Sequence, residues 1–167
     1  MILIGQYDSP FVRRVAIAMH FYGMRYDQRP WSAFSDANSI AEFSPLRRVP
    51  VLVLENGESL VDSVTILDHL DECAGPAQAL LPPAGAARRR QLKTMAMAAG
   101  LADKAIALLY EKLMHEQVSP LWVRRCRTQI RDVLRALEAD QTGLASPFHF
   151  GNRPGHADIM LACALRF

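Results

Sequence analysis

The sequence predicts a mixed α/β domain followed by an all-helical one, and three observations carry that prediction. Over residues 1–74, short apolar runs alternate with segments of helical period in the order β-α-β-α-β-β-α. From Gly75 to Gly85 proline, alanine and glycine crowd around Leu80-Leu81-Pro82-Pro83. Beyond that stretch every periodic signal is helical.

In order, residues 2–7 read as a buried strand ended by the turn into Ser9. Ser9-Pro10 starts a helix, with serine as N-cap and proline in the first turn, where its missing N–H costs nothing. Phe11, Val15 and Met19, with Val12 and Ala16 beside them, give an amphipathic repeat to about Tyr22, and Gly23 ends it. A second strand is expected over 26–31, although Pro30 falls inside it, and a short helix from Ser35-Asp36 to Phe43. Strands at 51–54 and 58–61 flank an Asn56-Gly57 turn, whose backbone freedom suits a hairpin. The helix from Ser63 to about Ala74 places Ile66, Leu67, Leu70, Cys73 and Ala74 on one face. The expected domains are therefore 1–76 and 88–167, joined by a linker over 77–87.

In the second domain, residues 86–116 form one long helix, relaxed at Gly100, with Leu92, Met95, Ala99, Ile106, Leu109 and Leu113 expected inward. Pro120 restarts a helix to about Asp140, with Val123, Cys126, Ile130, Val133, Leu134 and Leu137 on one stripe, and a loop follows over 141–154. A last apolar helix opens at Gly155, with Asp158 three residues on. Glycine is a fair cap but cannot complete a reciprocal capping box. The chain stops at Phe167 inside this apolar helix, so the expectation is either an incomplete second domain or a shortened chain whose last helix is half exposed and open to association.

Composition excludes several classes. Of 167 residues, 50% are hydrophobic and 22% charged, which is ordinary for a globular protein, and a net charge of +2 is too small to point to nucleic acid. No apolar run approaches a membrane span, and Met1 to Ile4 is too short for a signal-peptide core. Cys73, Cys126 and Cys163 stand alone, and the five histidines lack ligand spacing, so no disulfide framework or metal site is expected. A reducing cytoplasm follows from the same cysteine pattern.

The stretch from Arg47 to Ser63 organises the first domain. Pro50 stands at a strand's entry, and a cis Val49-Pro50 bond fits so tight a turn. That geometry leaves the main chain of Val49 open to an extended peptide. Asp62 and Ser63 sit where a helix begins, so unpaired N–H groups and partial positive charge collect there and suit a carboxylate. An edge for a peptide backbone beside a seat for a carboxylate suggests a small peptide ligand. Each half taken alone also fits a plain proline turn and a plain helix cap.

Val49-Pro50-Val51-Leu52, followed by Asp62-Ser63 and an apolar helix, resembles the glutathione site of the glutathione S-transferases. The run from Tyr7 to Val15 strengthens the resemblance. In the zeta-like and theta-like members a serine at the start of the first helix donates a hydrogen bond to the sulfur of glutathione, and Ser9 matches that place. The helix from Gly155 resembles the buried core helix of their second domain. The resemblance implies a thioredoxin-like, glutathione-binding N-terminal domain and an α-helical C-terminal domain, in an enzyme that joins glutathione to a hydrophobic electrophile.

The physical demand at Ser9 is definite. A free thiol has a pKa of roughly 8.5, and lowering it by about two units needs nearly 3 kcal/mol of preference for the anion. One charge-assisted hydrogen bond supplies about 1.5–3 kcal/mol. A helix N-terminus adds up to about 1 kcal/mol. Tyr7 is the rival donor; it is expected one step inside the strand, whereas Ser9 stands at the helix start.

By position the resemblance assigns further glutathione contacts. Phe11 follows Ser9 in the binding turn, and the main chain of Val49, beside Pro50, pairs with the cysteinyl unit. Asp62 meets the γ-glutamyl ammonium, Ser63 takes that end's carboxylate, and Arg48 reaches the glycyl carboxylate or stays a solvated charge. Met97, Leu101, Met114 and Trp122 are candidates for an electrophile pocket, with core packing as their other role. A homodimer, with no metal, nucleic-acid or membrane partner, completes the implied picture. Two other functions fit the fold: a non-catalytic transferase-like interaction module, and a glutathione-dependent reductase or peroxidase. Against the latter, Ser9-Pro10-Phe11 stands where thiol-exchanging relatives keep a cysteine.

Overall fold

The computed structural model describes residues 1–141 and 146–167; part of the loop expected over 141–154 therefore lies outside the described residues. The chain divides into two compact units, Met1–Pro83 and Ala84–Phe167.

The first unit contains β1 (Ile2–Ile4), α1 (Pro10–Phe21), β2 (Asp27–Arg29), α2 (Ala37–Ala41), β3 (Val51–Val53), β4 (Ser59–Val61) and α3 (Ser63–Ala74). Its four strands lie in the order β2-β1-β3-β4, with β1 and β2 parallel and both other pairings antiparallel. That is the thioredoxin-like arrangement. Period-two alternation sorts the sheet's side chains. Ile4, Val51 and Val53 pack with Ile40 of α2, joined by Trp31 and Phe43. Leu3 and Leu52, paired across β1 and β3 and fully buried, fall to the other face, where α1 and α3 pack side by side and α3 also meets β3. Each such large side chain contributes about 1.5–3 kcal/mol by leaving water.

The strands are shorter than expected. β1 ends at Ile4 because Gly5 turns the chain at φ 134°, so Tyr7 lies in the turn before α1 and not inside the strand. β2 ends at Arg29, since Pro30 has no N–H to extend a ladder.

The second unit consists of α4 (Gly85–Met114), α5 (Pro120–Gln141) and α6 (His156–Leu165), with α4 packed on both others. Residues 85–87, expected in the linker, form the first turn of α4, and the helix runs through Gly100 without a break. Its buried stripe is also different from the expected one. Gln91, Thr94, Met95, Ala98, Leu101 and Ala102 are inward, whereas Leu92, Leu109 and Leu113 are exposed. On α5 only Cys126 and Leu137 are fully buried, and Leu134 is exposed. An open apolar groove of about 560 Å³ runs along Leu134, Leu137, Leu161 and Leu165.

Gly155 cannot cap α6 with a side chain. Asp158 supplies the other half of the box: its Oδ2 accepts from Gly155 N at 2.8 Å and its Oδ1 from His149 N at 2.9 Å. Among the described residues no helix is long and apolar enough to cross a membrane, and no cluster of His, Cys, Asp or Glu could hold a metal ion.

Candidate active site

Strand register gathers the candidate residues of the first unit at one end of the sheet. Ile4 pairs with Val51, and Val51 pairs with Val61. The residues just beyond those pairs are Gly5 and the turn to Ser9, then Val49-Pro50, then Asp62-Ser63, so all three segments leave the sheet at the same edge. The sequence motifs mark all three of these segments; the pairing explains why they meet.

Gly5 fixes how closely they meet. A Cβ built there would stand 2.5 Å from Val12 Cγ2 and 2.9 Å from Val49 Cβ, so the first turn of α1 and the proline loop close on a position only glycine fills. In the sequence Gly5 is only an isolated glycine after a strand.

The Val49-Pro50 peptide bond is cis. Pro50 is buried and Val49 half-buried. Among the described residues the main-chain N–H and C=O of Val49 have no hydrogen-bond partner, which leaves a short free edge. Arg48 beside it is exposed and unpaired among the described residues, while Arg47, at φ 51°, is tied back to Asn38 Oδ1 at 2.7 Å.

Ser9 caps α1, its Oγ accepting from Val12 N at 3.4 Å. A cap uses the oxygen as acceptor and leaves the hydroxyl proton free to donate, so the capping and donor roles are compatible. Tyr7 is placed otherwise. Its hydroxyl lies 2.7 Å from that of Tyr26, and burial, followed by this bond, pushes Tyr26 up to about 12 from 10.0. Phe11 is half-buried in the first turn of α1, its ring centroid 5.6 Å from the Arg14 guanidinium carbon.

At the third segment Asp62 has φ 68°, a left-handed conformation that costs a non-glycine residue on the order of 1–2 kcal/mol. Its Oδ1 accepts from Val64 N at 2.8 Å, capping α3, and its second oxygen has no partner among the described residues. Ser63 follows as the first residue of α3 and is buried; its Oγ accepts a hydrogen bond from Arg14 Nη2.

The electrophile-pocket candidates do not form one cluster. Leu101 is buried in the helical unit, Met97 and Trp122 are half-buried, and Met114 is exposed at the end of α4. Met97 and Met114 stand on the order of 25 Å apart along one helix. Lys104 Nζ lies 5.3 Å from the Trp122 ring centroid, so that ring already has a partner.

Residues 3–78 match the glutathione S-transferase N-terminal domain, and residues 120–167 match the C-terminal domain of the same family. The GST-like protein YibF of Escherichia coli K12 is 35% identical over 171 residues, covering 100% of this chain and 81% of the relative. The chain belongs to the glutathione S-transferase family.

Solved structures agree with this assignment. A glutathione transferase family member from Pseudomonas fluorescens Pf-5, with bound glutathione, is 32% identical with a TM-score of 0.85, over 98% of this chain and 80% of that one. A glutathione S-transferase from Methylobacillus flagellatus KT, with GSH bound, superposes with a TM-score of 0.90 at 25% identity, over 98% and 80% of the two chains. The chain is thus a glutathione transferase, and its sheet edge with Ser9, Val49 and Asp62-Ser63 is the transferase's candidate active site.

Proposed function

We propose that this glutathione transferase lays glutathione along Val49, ionises its thiol beside Ser9 and delivers the thiolate to a hydrophobic electrophile. The observation that carries the reading is the free main-chain edge of Val49 next to a cis proline, lying at the same sheet end as two helix N-termini. The cysteinyl unit of glutathione pairs with that edge. Its γ-glutamyl ammonium meets the spare oxygen of Asp62, its γ-glutamyl carboxylate meets Ser63, and its glycyl carboxylate meets Arg48. Phe11 walls the sulfur's surroundings.

The Ser9 hydroxyl, with no acceptor among the described residues, donates to the sulfur and favours the anion. The thiol proton leaves to solvent, the sulfur lone pair forms a carbon–sulfur bond, and the electrophile's displaced pair leaves with its leaving group or moves onto an acceptor atom. Of the electrophile-pocket candidates, Met97 and Trp122 are half-buried, Leu101 is buried in the helical unit and Met114 is exposed at the end of α4. Three free cysteines, one of them exposed, support a reducing cytoplasmic setting. Homodimer formation and a role in detoxification come from the family's habit.

The test is conjugation of glutathione to 1-chloro-2,4-dinitrobenzene by the wild type, Ser9→Ala and Tyr7→Phe. Ser9→Ala is expected to lose about 100-fold in turnover, the worth of one strong charge-assisted hydrogen bond, while Tyr7→Phe stays within about 2-fold. Loss of turnover in Tyr7→Phe with Ser9→Ala unaffected would reassign the donor. Retention on immobilised glutathione without any turnover would leave only a binding module.

A further inference from the structure

A charged residue is buried where the mechanism above does not use it. Arg14 lies on the inward face of α1 among Val15 and Ala18 and is only 2% exposed. Burying a guanidinium is costly unless it is well paired, and such positions are rarely charged by accident. Arg14 Nη2 donates to Ser63 Oγ at 2.5 Å, joining α1 to the first residue of α3, and the guanidinium also packs over Phe11.

We propose that Arg14 is a positioning residue that turns Ser63 into a dedicated donor for the γ-glutamyl carboxylate. The inference rests on the reading of Ser63 as that carboxylate's seat. Guanidinium has donors only and keeps its charge at every accessible pH, so towards Arg14 the serine oxygen can act only as acceptor. The serine proton is then directed elsewhere. With the N–H of Ser63, one of the orphan donors at a helix start, it makes a fork of two donors suited to one carboxylate. Ser9 caps the helix that carries Phe11 and Arg14, so the sulfur donor and the residue that orients the carboxylate seat are tied to one helix.

The chemical consequence is specificity for peptides that carry the γ-glutamyl α-carboxylate. The probe pair is glutathione and its analogue γ-aminobutyryl-cysteinyl-glycine, which lacks only that group. For Arg14→Met the KM for glutathione should rise about 20-fold, within the range of a charge-assisted hydrogen bond. Its kcat at saturating glutathione and its KM for the analogue should each stay within about 3-fold. Arg14→Lys, which keeps the charge without the fork, should show a rise of about 5-fold confined to glutathione. It also keeps the test open if the methionine variant does not fold.

A uniform change in KM for both peptides, or a fall in kcat alone, would show a merely structural role and overturn the proposal. Ser63→Ala separates the two levels of the argument. If it leaves the glutathione KM unchanged, the seat itself is misassigned and the inference falls with it. If it raises that KM while the Arg14 variants treat both peptides alike, the seat stands and only the role of Arg14 is refuted.

Discussion

Helices α1 and α3 begin at the same end of the sheet and enter it in opposite ways. Ser9 precedes α1 with an ordinary extended backbone, φ −66° and ψ 122°, and its cap bond of 3.4 Å lies beyond the usual range. Asp62 precedes α3 with φ 68° and closes its cap at 2.8 Å. The first entry is relaxed and weakly capped, leaving a hydroxyl proton to spend on a ligand. The second is tight and strained, and strain of this kind persists where surrounding structure over-determines it, commonly at ligand clamps. On the proposed function the contrast separates two tasks: stabilising a developing anion at one helix tip, and gripping a charged head group at the other.

Substitutions can break that division of labour. The roughly hundredfold loss expected for Ser9→Ala should fall on kcat, with the glutathione KM moving less than about 3-fold, because a sulfur donor acts on the thiolate and contributes little to ground-state affinity. Steady-state kinetics with glutathione varied will show the split. Gly5→Ala should disturb the α1 tip and the proline loop at once. Its new methyl collides with Val12 and Val49 at φ 134°, so a loss of about 2 kcal/mol is expected in urea unfolding.

Asp62→Asn keeps a capping oxygen and tolerates positive φ but removes the charge. Its expected signature is a glutathione KM raised about 10-fold with the melting temperature unchanged. The smallest effect concerns the tyrosine pair. Because Tyr26 titrates at about 12 in the folded chain against 10.0 unperturbed, the unfolded chain loses its proton first as alkali is added. The stability from this group is complete below pH 10 and declines as pH rises towards 12. Tyrosinate absorbance should show the late phenol, and Tyr7→Phe should bring its midpoint down while burial keeps it above 10.0.

Much of this arrangement was legible because its signals are local. Ser9-Pro10, Val49-Pro50, Asn56-Gly57 and Asp62-Ser63 each state a backbone requirement within two residues, and each stands at the boundary it announces. Arg14 was not legible as a functional residue, since its partner is 49 positions away and a charge on a helix ordinarily reads as solvated. Gly5 was silent for a similar reason: the requirement comes from a loop that reaches it through the fold. In α4 apolar residues occur all round the helix, so period alone could not choose a face. The buried stripe includes the small Thr94, Ala98 and Ala102, which close packing favours and hydrophobicity counts overlook.

The hydroxyl of Tyr22, at the end of α1, meets Asp71 of α3, and both receive the N–H of Leu80, at 2.9 Å and 3.3 Å. The segment after α3 is thereby fastened to the first compact unit, Met1–Pro83. Anyone dissecting the chain should cut after Pro83. A fragment ended at 76 would discard its own buckle, leaving a phenol and a carboxylate without the amide they share.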